Sequence, residues 1–168
     1  MTPLAENVHL TPAGDAVEII DQTLLPAEKR SITLSSREAL YNAIYTLQVR
    51  GAPAIGIFAG YALYVLAQQI DAPDGASFYQ QLSREADYLS SSRPTAVNLA
   101  WALRRMLRTA KAVEAAPREE VLSALCREAT AIQQEDIAMN LRISRNGLSL
   151  LHPGDGLLTH CNAGPLAT

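Results

Sequence analysis

The sequence predicts an α+β domain, a small antiparallel meander plus about five helices, followed by the first strand of a parallel α/β domain. Three observations predict it. Residues 7–34 hold short strand-like runs, VHLTP, AVEIID and RSITL, separated by the turn signals Ala13-Gly14-Asp15 and Leu25-Pro26-Ala27. From Ser35 to Gly147, apolar residues recur at helical spacing between breaks marked by Pro and Gly. At the end, the apolar run Leu157 to Cys161 turns through Asn162-Ala163-Gly164 toward a helix. The expected division is 1–150 for the meander and helices and 151–168 for the start of a second, incomplete domain. A single strand leaves both edges unpaired and cannot make a sheet.

Composition narrows the class. Of the 168 residues, 48% are hydrophobic and 18% charged, the profile of a folded soluble protein. A net charge of −3 gives no broad electrostatic footprint for nucleic acid, although a few arginines suffice for a small anion. Cys126 and Cys161 are too few and too far apart for a disulfide scaffold or a structural zinc set. His9, His152 and His160 have no ligand spacing, so no metal is expected. The start, MTPLAENVHL, lacks signal-peptide regions, and the expected location is cytoplasmic. Residues 51–70, GAPAIGIFAGYALYVLAQQI, are uncharged and long, but rich in Gly and Ala and closed by Gln68 and Gln69. They read as a buried core helix and not as a membrane span.

The helices follow in order. Ser35 and Glu38 fit a capping box, with Ala39, Leu40, Ala43, Ile44 and Leu47 on one face. Arg50-Gly51-Ala52-Pro53 breaks that helix and opens the next, over 53–70, where Gly56 and Gly60 allow another backbone to come close. Residues 76–90 form a third helix. Ser90-Ser91-Ser92-Arg93-Pro94 precedes a fourth over 95–115, with Val97, Trp101 and Leu103 among its apolar positions. Pro117 opens a fifth, whose stripe runs Leu122, Leu125, Ala129, Ile132, Met139 and Ile143. Asp136 interrupts that stripe and shares a face with Asn140; it either bonds a helix terminus of the second domain or sits at a wetted rim.

Two features could carry chemistry. Arg50 and Arg93 each precede a Pro-marked helix start, where backbone N–H groups attract anions and an arginine adds bidentate donors. If the two ends converge they make a phosphate site. Otherwise they are two solvated arginines. Cys161 stands where a strand would end and a helix begin, a position that favours thiolate. The alternative is a buried structural cysteine. Cys126, inside a helix, reads as core packing. His160 adjoins Cys161 but would point to the opposite strand face. His152 lies in a Gly/Pro loop.

Three segments, VRGAPAIGI (49–57), SRPTAVNL (92–99) and LLTHCNAGPLAT (157–168), together resemble the S-methyl-5-thioribose-1-phosphate isomerase family of methionine salvage. The wider family includes ribose-1,5-bisphosphate isomerases and regulatory subunits of the exchange factor for translation initiation factor two. The resemblance implies a small N-terminal domain packed on a larger Rossmann-like domain, with the active site between them and homodimers formed through the larger one. It implies that Arg50, Gly51, Ala52 and Arg93 bind the substrate phosphate and hydroxyls and that Cys161 is catalytic. No cofactor, metal, nucleic acid or membrane partner is implied. The reaction is an aldose–ketose isomerisation, needing an acid at the ring oxygen, a base, and transfer of hydrogen from C2 to C1. The family's catalytic aspartate would lie beyond Thr168, so this chain alone is expected to be an inactive fragment. The alternatives are an isomerase for a related ribose or deoxyribose 1-phosphate and a non-catalytic member that binds a sugar phosphate or nucleotide. Pro165 departs from the small residue common in the family's final motif.

Overall fold

Three strands pair in chain order in a computed structural model that describes residues 7–160, 164, 166 and 167. Strands β1 (Val8–Leu10), β2 (Val17–Ile20) and β3 (Ser31–Leu34) form an antiparallel meander, with His9 opposite Glu18 and Ile19 opposite Ile32. Val8, Val17, Ile19 and Leu34 are buried, so one face of the sheet closes on the helices.

Helix α1 (Arg37–Tyr45) starts one residue later than the capping-box reading placed it. Ser36 is the cap and accepts from the Ala39 amide. It also ends before Leu47, which takes a left-handed φ of 65° and is exposed. The Val49 amide returns to the Ala43 carbonyl, so the chain folds back at that point.

Helix α2 (Ala52–Gln69) is the centre of the molecule. It is buried nearly all round, from Ala54 through Ala67, with Phe58 and Leu63 fully enclosed. Each such side chain contributes about 1.5–3 kcal/mol by leaving water. Its small residues set the packing. A Cβ at Gly56 would stand 3.2 Å from the Asn98 carbonyl oxygen, and one at Gly60 would stand 3.3 Å from the Ile132 Cδ1. Among the described residues no helix is long and apolar enough to cross a membrane.

Helices α3 (Gly75–Ser91), α4 (Val97–Ala112) and α5 (Arg118–Leu148) pack around α2. Gly56 meets Asn98 at one end, and Gly75 meets the Glu114 backbone at the other, so α4 runs in the direction of α2. Arg118 donates to the Gln68 and Ile70 carbonyls while Gly60 faces Ala129, so α5 runs against α2. Arg105 links α4 to α5 through Glu128 and Glu135.

Several expectations are corrected. Of the three apolar positions named on α4, Leu103 is buried, but Val97 is 75% exposed and Trp101 is on the surface, because the buried face runs through Leu99, Ala102, Leu103, Met106 and Ala110. The α5 stripe is buried only to Asp136, and Met139 and Ile143 face solvent. Cys126 is half-buried against Tyr64 and is not a core residue. Residues 157–160, expected as a strand, pair with no neighbour, and Leu158 is fully exposed. A strand forms only when its backbone groups find a ladder, and none of the described residues supplies one.

Candidate functional site

The site is built where three pieces of chain meet: the turn after β2, the entry to α2, and the C-terminal turn. Gly51 caps α2 with φ 101° and ψ 134°, a conformation open only to glycine. Pro53 has no N–H, and the Ile55 amide is used by the Gly51 carbonyl. The Ala54 amide donates to the Ala167 carbonyl at 3.1 Å. The anion-attracting end of α2 is therefore narrowed to the amides of Gly51 and Ala52.

The C-terminal turn is held from two more sides. The Leu166 carbonyl accepts from Asn7 Nδ2 at 2.8 Å and from Gln22 Nε2 at 2.9 Å. Gln22 also donates weakly to the Arg50 carbonyl, at 3.4 Å, and its Oε1 accepts from Arg50 Nε at 3.2 Å. Asn7 and Gln22 are both buried, while Arg50 is exposed.

Asp21 braces this turn. It accepts from the Thr23 amide and hydroxyl and from Gln48 Nε2. Burial pushes its carboxyl up, but the bonds from Thr23 and Gln48 and the nearby Arg30 charge outweigh it and hold the group below its ordinary value.

Arg93 is less tightly placed than the sequence suggested. It follows the C-cap of α3, Ser92, and does not abut α4; a turn over Arg93–Ala96 intervenes, with the Ala96 amide on the Arg93 carbonyl, and α4 starts at Val97. The Gly56–Asn98 contact nevertheless puts the entries to α2 and α4 on the same side of the domain. Cys161 lies outside the described residues. Asp136 is buried and not at a wetted rim, and it accepts from Asn140 Nδ2 of its own helix at 3.1 Å. His160 and His152 are exposed; the His152 amide donates to Asp155. No cluster of metal-ligating side chains occurs among the described residues.

Sequence reading missed Gln22, Asn7 and Asp21. The available signal was Asp21-Gln22-Thr23 directly after the buried Ile19-Ile20, three hydrogen-bonding side chains where a strand leaves the core.

Fold and site define a class, an α+β domain that presents two neighbouring helix entries on one side, the first directly preceded by Arg50 and the second reached through a turn that begins at Arg93. Within that class, residues 48–167 match the Initiation factor 2 subunit family, and the chain belongs to it. A methylthioribose-1-phosphate isomerase from Symbiobacterium thermophilum is 48% identical over 97% of this chain and 45% of its own length. A 5-deoxyribose 1-phosphate isomerase from Petrotoga mobilis is 47% identical over 96% of this chain and 46% of its own. Among solved structures, 5-methylthioribose 1-phosphate isomerase from Pyrococcus horikoshii superposes with a TM-score of 0.90 at 38% identity, covering 99% of this chain and 46% of the other. Translation initiation factor eIF-2B subunit delta from A. fulgidus gives a TM-score of 0.84 at 37% identity. The chain thus spans about half the length of the curated relatives it matches.

Proposed function

We propose that this chain is the N-terminal half of an aldose–ketose isomerase that converts S-methyl-5-thioribose 1-phosphate into S-methyl-5-thioribulose 1-phosphate in methionine salvage. The observation that carries the proposal is the docking of Leu166-Ala167 on the entry to α2, beside Arg50-Gly51-Ala52. It sets the C-terminal turn of Leu166-Ala167 against the end of the helix suited to an anion. The names of relatives near half identity over almost the whole chain supply the substrate.

In this reading the Gly51 and Ala52 amides and the guanidinium groups of Arg50 and Arg93 hold the phosphate. Its binding free energy orients the reacting carbons. The anomeric oxygen carries the phosphate, so the ring opens only if an acid protonates the ring oxygen. Hydrogen then passes from C2 to C1 and the 2-hydroxyl proton leaves to give the ketone. Cys161 is one member of the acid–base pair; the other, an aspartate, is supplied by a Rossmann-like domain that residues 151–168 begin. The enzyme works in the cytoplasm as a homodimer formed through that domain, without cofactor, metal, nucleic acid or membrane. These 168 residues alone have no turnover.

A second reading is an isomerase for 5-deoxyribose 1-phosphate, favoured by the Petrotoga mobilis relative at 47% identity. The likeness to the eIF-2B delta subunit keeps a binding role without turnover as the contrasting case. Titration of this chain with S-methyl-5-thioribose 1-phosphate, followed by amide shifts, tests the proposal. Saturable shifts at Gly51 and Ala52 whose midpoint moves to clearly higher ligand concentration in Arg50→Ala are expected. Shifts elsewhere in the domain, or none, would overturn it.

A further inference from the structure

Gln22 is the point at which the arginine and the C-terminal turn are joined. Its side-chain amide makes three contacts: Oε1 takes the Arg50 Nε proton, and Nε2 donates to the carbonyls of Leu166 and Arg50. The orientation of that amide is fixed by its neighbours. Reversed, it would set oxygen against two carbonyls and nitrogen against a guanidinium N–H. Only a group with a donor and an acceptor at this reach satisfies both sides. A carboxylate loses the donors, and a hydrocarbon loses everything.

The site of this amide is itself rigid. Gln22 is 5% exposed, its backbone amide is bonded to the Gln48 carbonyl, and the preceding Asp21 is bonded to Gln48 and Thr23. Gln48 lies two residues before Arg50, so one framework holds both ends of the link. The Leu166 carbonyl uses its second lone pair on Asn7. Arg50 is exposed and has a long side chain with many rotamers. Without a buried acceptor at Nε its direction would be undefined, and ordering it would cost binding free energy each time an anion arrived.

We propose that Gln22 is the positioning residue of the phosphate end: it aims the Arg50 guanidinium and fixes it relative to the turn that follows Cys161. The inference rests on the reading of Arg50 as a phosphate ligand. Nε is occupied by Gln22, so the two terminal nitrogens remain for an incoming phosphate, the side of the fork that grips two oxygens at once. Gln22 itself touches no substrate.

The test is a double-mutant cycle on the 168-residue chain, with inorganic phosphate as the probe and the Gly51 and Ala52 amide shifts as the readout. Gln22→Leu is expected to weaken phosphate binding about tenfold in the wild-type background and by less than about twofold in Arg50→Ala, because it acts through that side chain. Equal losses in both backgrounds mean a merely structural role and overturn the inference. So does unchanged binding in Gln22→Leu. Absence of saturable shifts in the wild-type chain overturns the phosphate reading itself, and the role of Gln22 with it. Should Gln22→Leu not fold, the wild-type chain still decides the geometry. The Arg50 Nε–H is expected as a resolved signal with slowed exchange, and a signal averaged with those of the other exposed arginines overturns the link.

Discussion

Gly51 lies directly against Ala167: a Cβ on Gly51 would stand 2.5 Å from the Ala167 Cα and 2.7 Å from its carbonyl oxygen. That oxygen accepts the Ala54 amide. The glycine therefore serves two needs at once, a positive φ and an open face for the C-terminal turn. Gly51→Ala should undock that turn and cost about 1–3 kcal/mol from the backbone conformation alone. Hydrogen exchange checks it, with the Ala54 amide losing protection while Phe58 and Leu63 in the same helix keep theirs.

The second prediction concerns the polar link through the core. Buried Gln133 on α5 donates to the Val8 carbonyl of β1 and accepts from the Tyr61 hydroxyl of α2. It joins the sheet to both long helices. Gln133→Leu should destabilise the domain by about 1–3 kcal/mol, since buried polar groups lose their partner. Urea unfolding measures this as a lower midpoint with an unchanged slope.

The carboxyl of Asp21 sets an acid limit. Its folded value lies below the ordinary 3.8, so the unfolded chain binds the proton more readily. Its stabilising contribution is complete above that ordinary value and is lost as pH falls through it toward the lowered folded one. Between about pH 5 and 3 the melting temperature of the wild-type chain should fall more steeply than that of Asp21→Asn. Parallel curves would remove Asp21 from the acid transition.

Residues 157–160 should exchange their amides without protection. They pair with nothing among the described residues, and Leu157 and Leu158 are exposed. The amides over 53–66 should exchange orders of magnitude more slowly, on the scale of global unfolding. Equal protection in the two stretches would mean that the segment finds a sheet partner in solution.

Much of this was legible in the sequence, for identifiable reasons. The meander follows from turn residues between alternating runs, and the burial of α2 from an uncharged stretch rich in Gly and Ala. Gly56 and Gly60 were readable as close-approach points, and both are such points. Exposure at Val97 and Trp101 was not readable, because two apolar registers compete on α4 and only packing against α2 and α5 decides between them. The turn at Arg93 was missed because Pro94 marks a break without saying how far the helix lies beyond it. Gln22 was invisible for a deeper reason. Its partners lie 28 and 144 positions away, and two of the three groups it contacts are backbone carbonyls that carry no side-chain signature.

The most direct test joins this chain to the part of a relative that it does not match. A chimera of these 168 residues with the remaining length of the Symbiobacterium thermophilum protein would be assayed against S-methyl-5-thioribose 1-phosphate, with that protein as the positive control. The expected result is isomerisation to the ketose, lost in Arg50→Ala and in Cys161→Ala. A folded chimera that turns over neither this substrate nor 5-deoxyribose 1-phosphate would contradict the account.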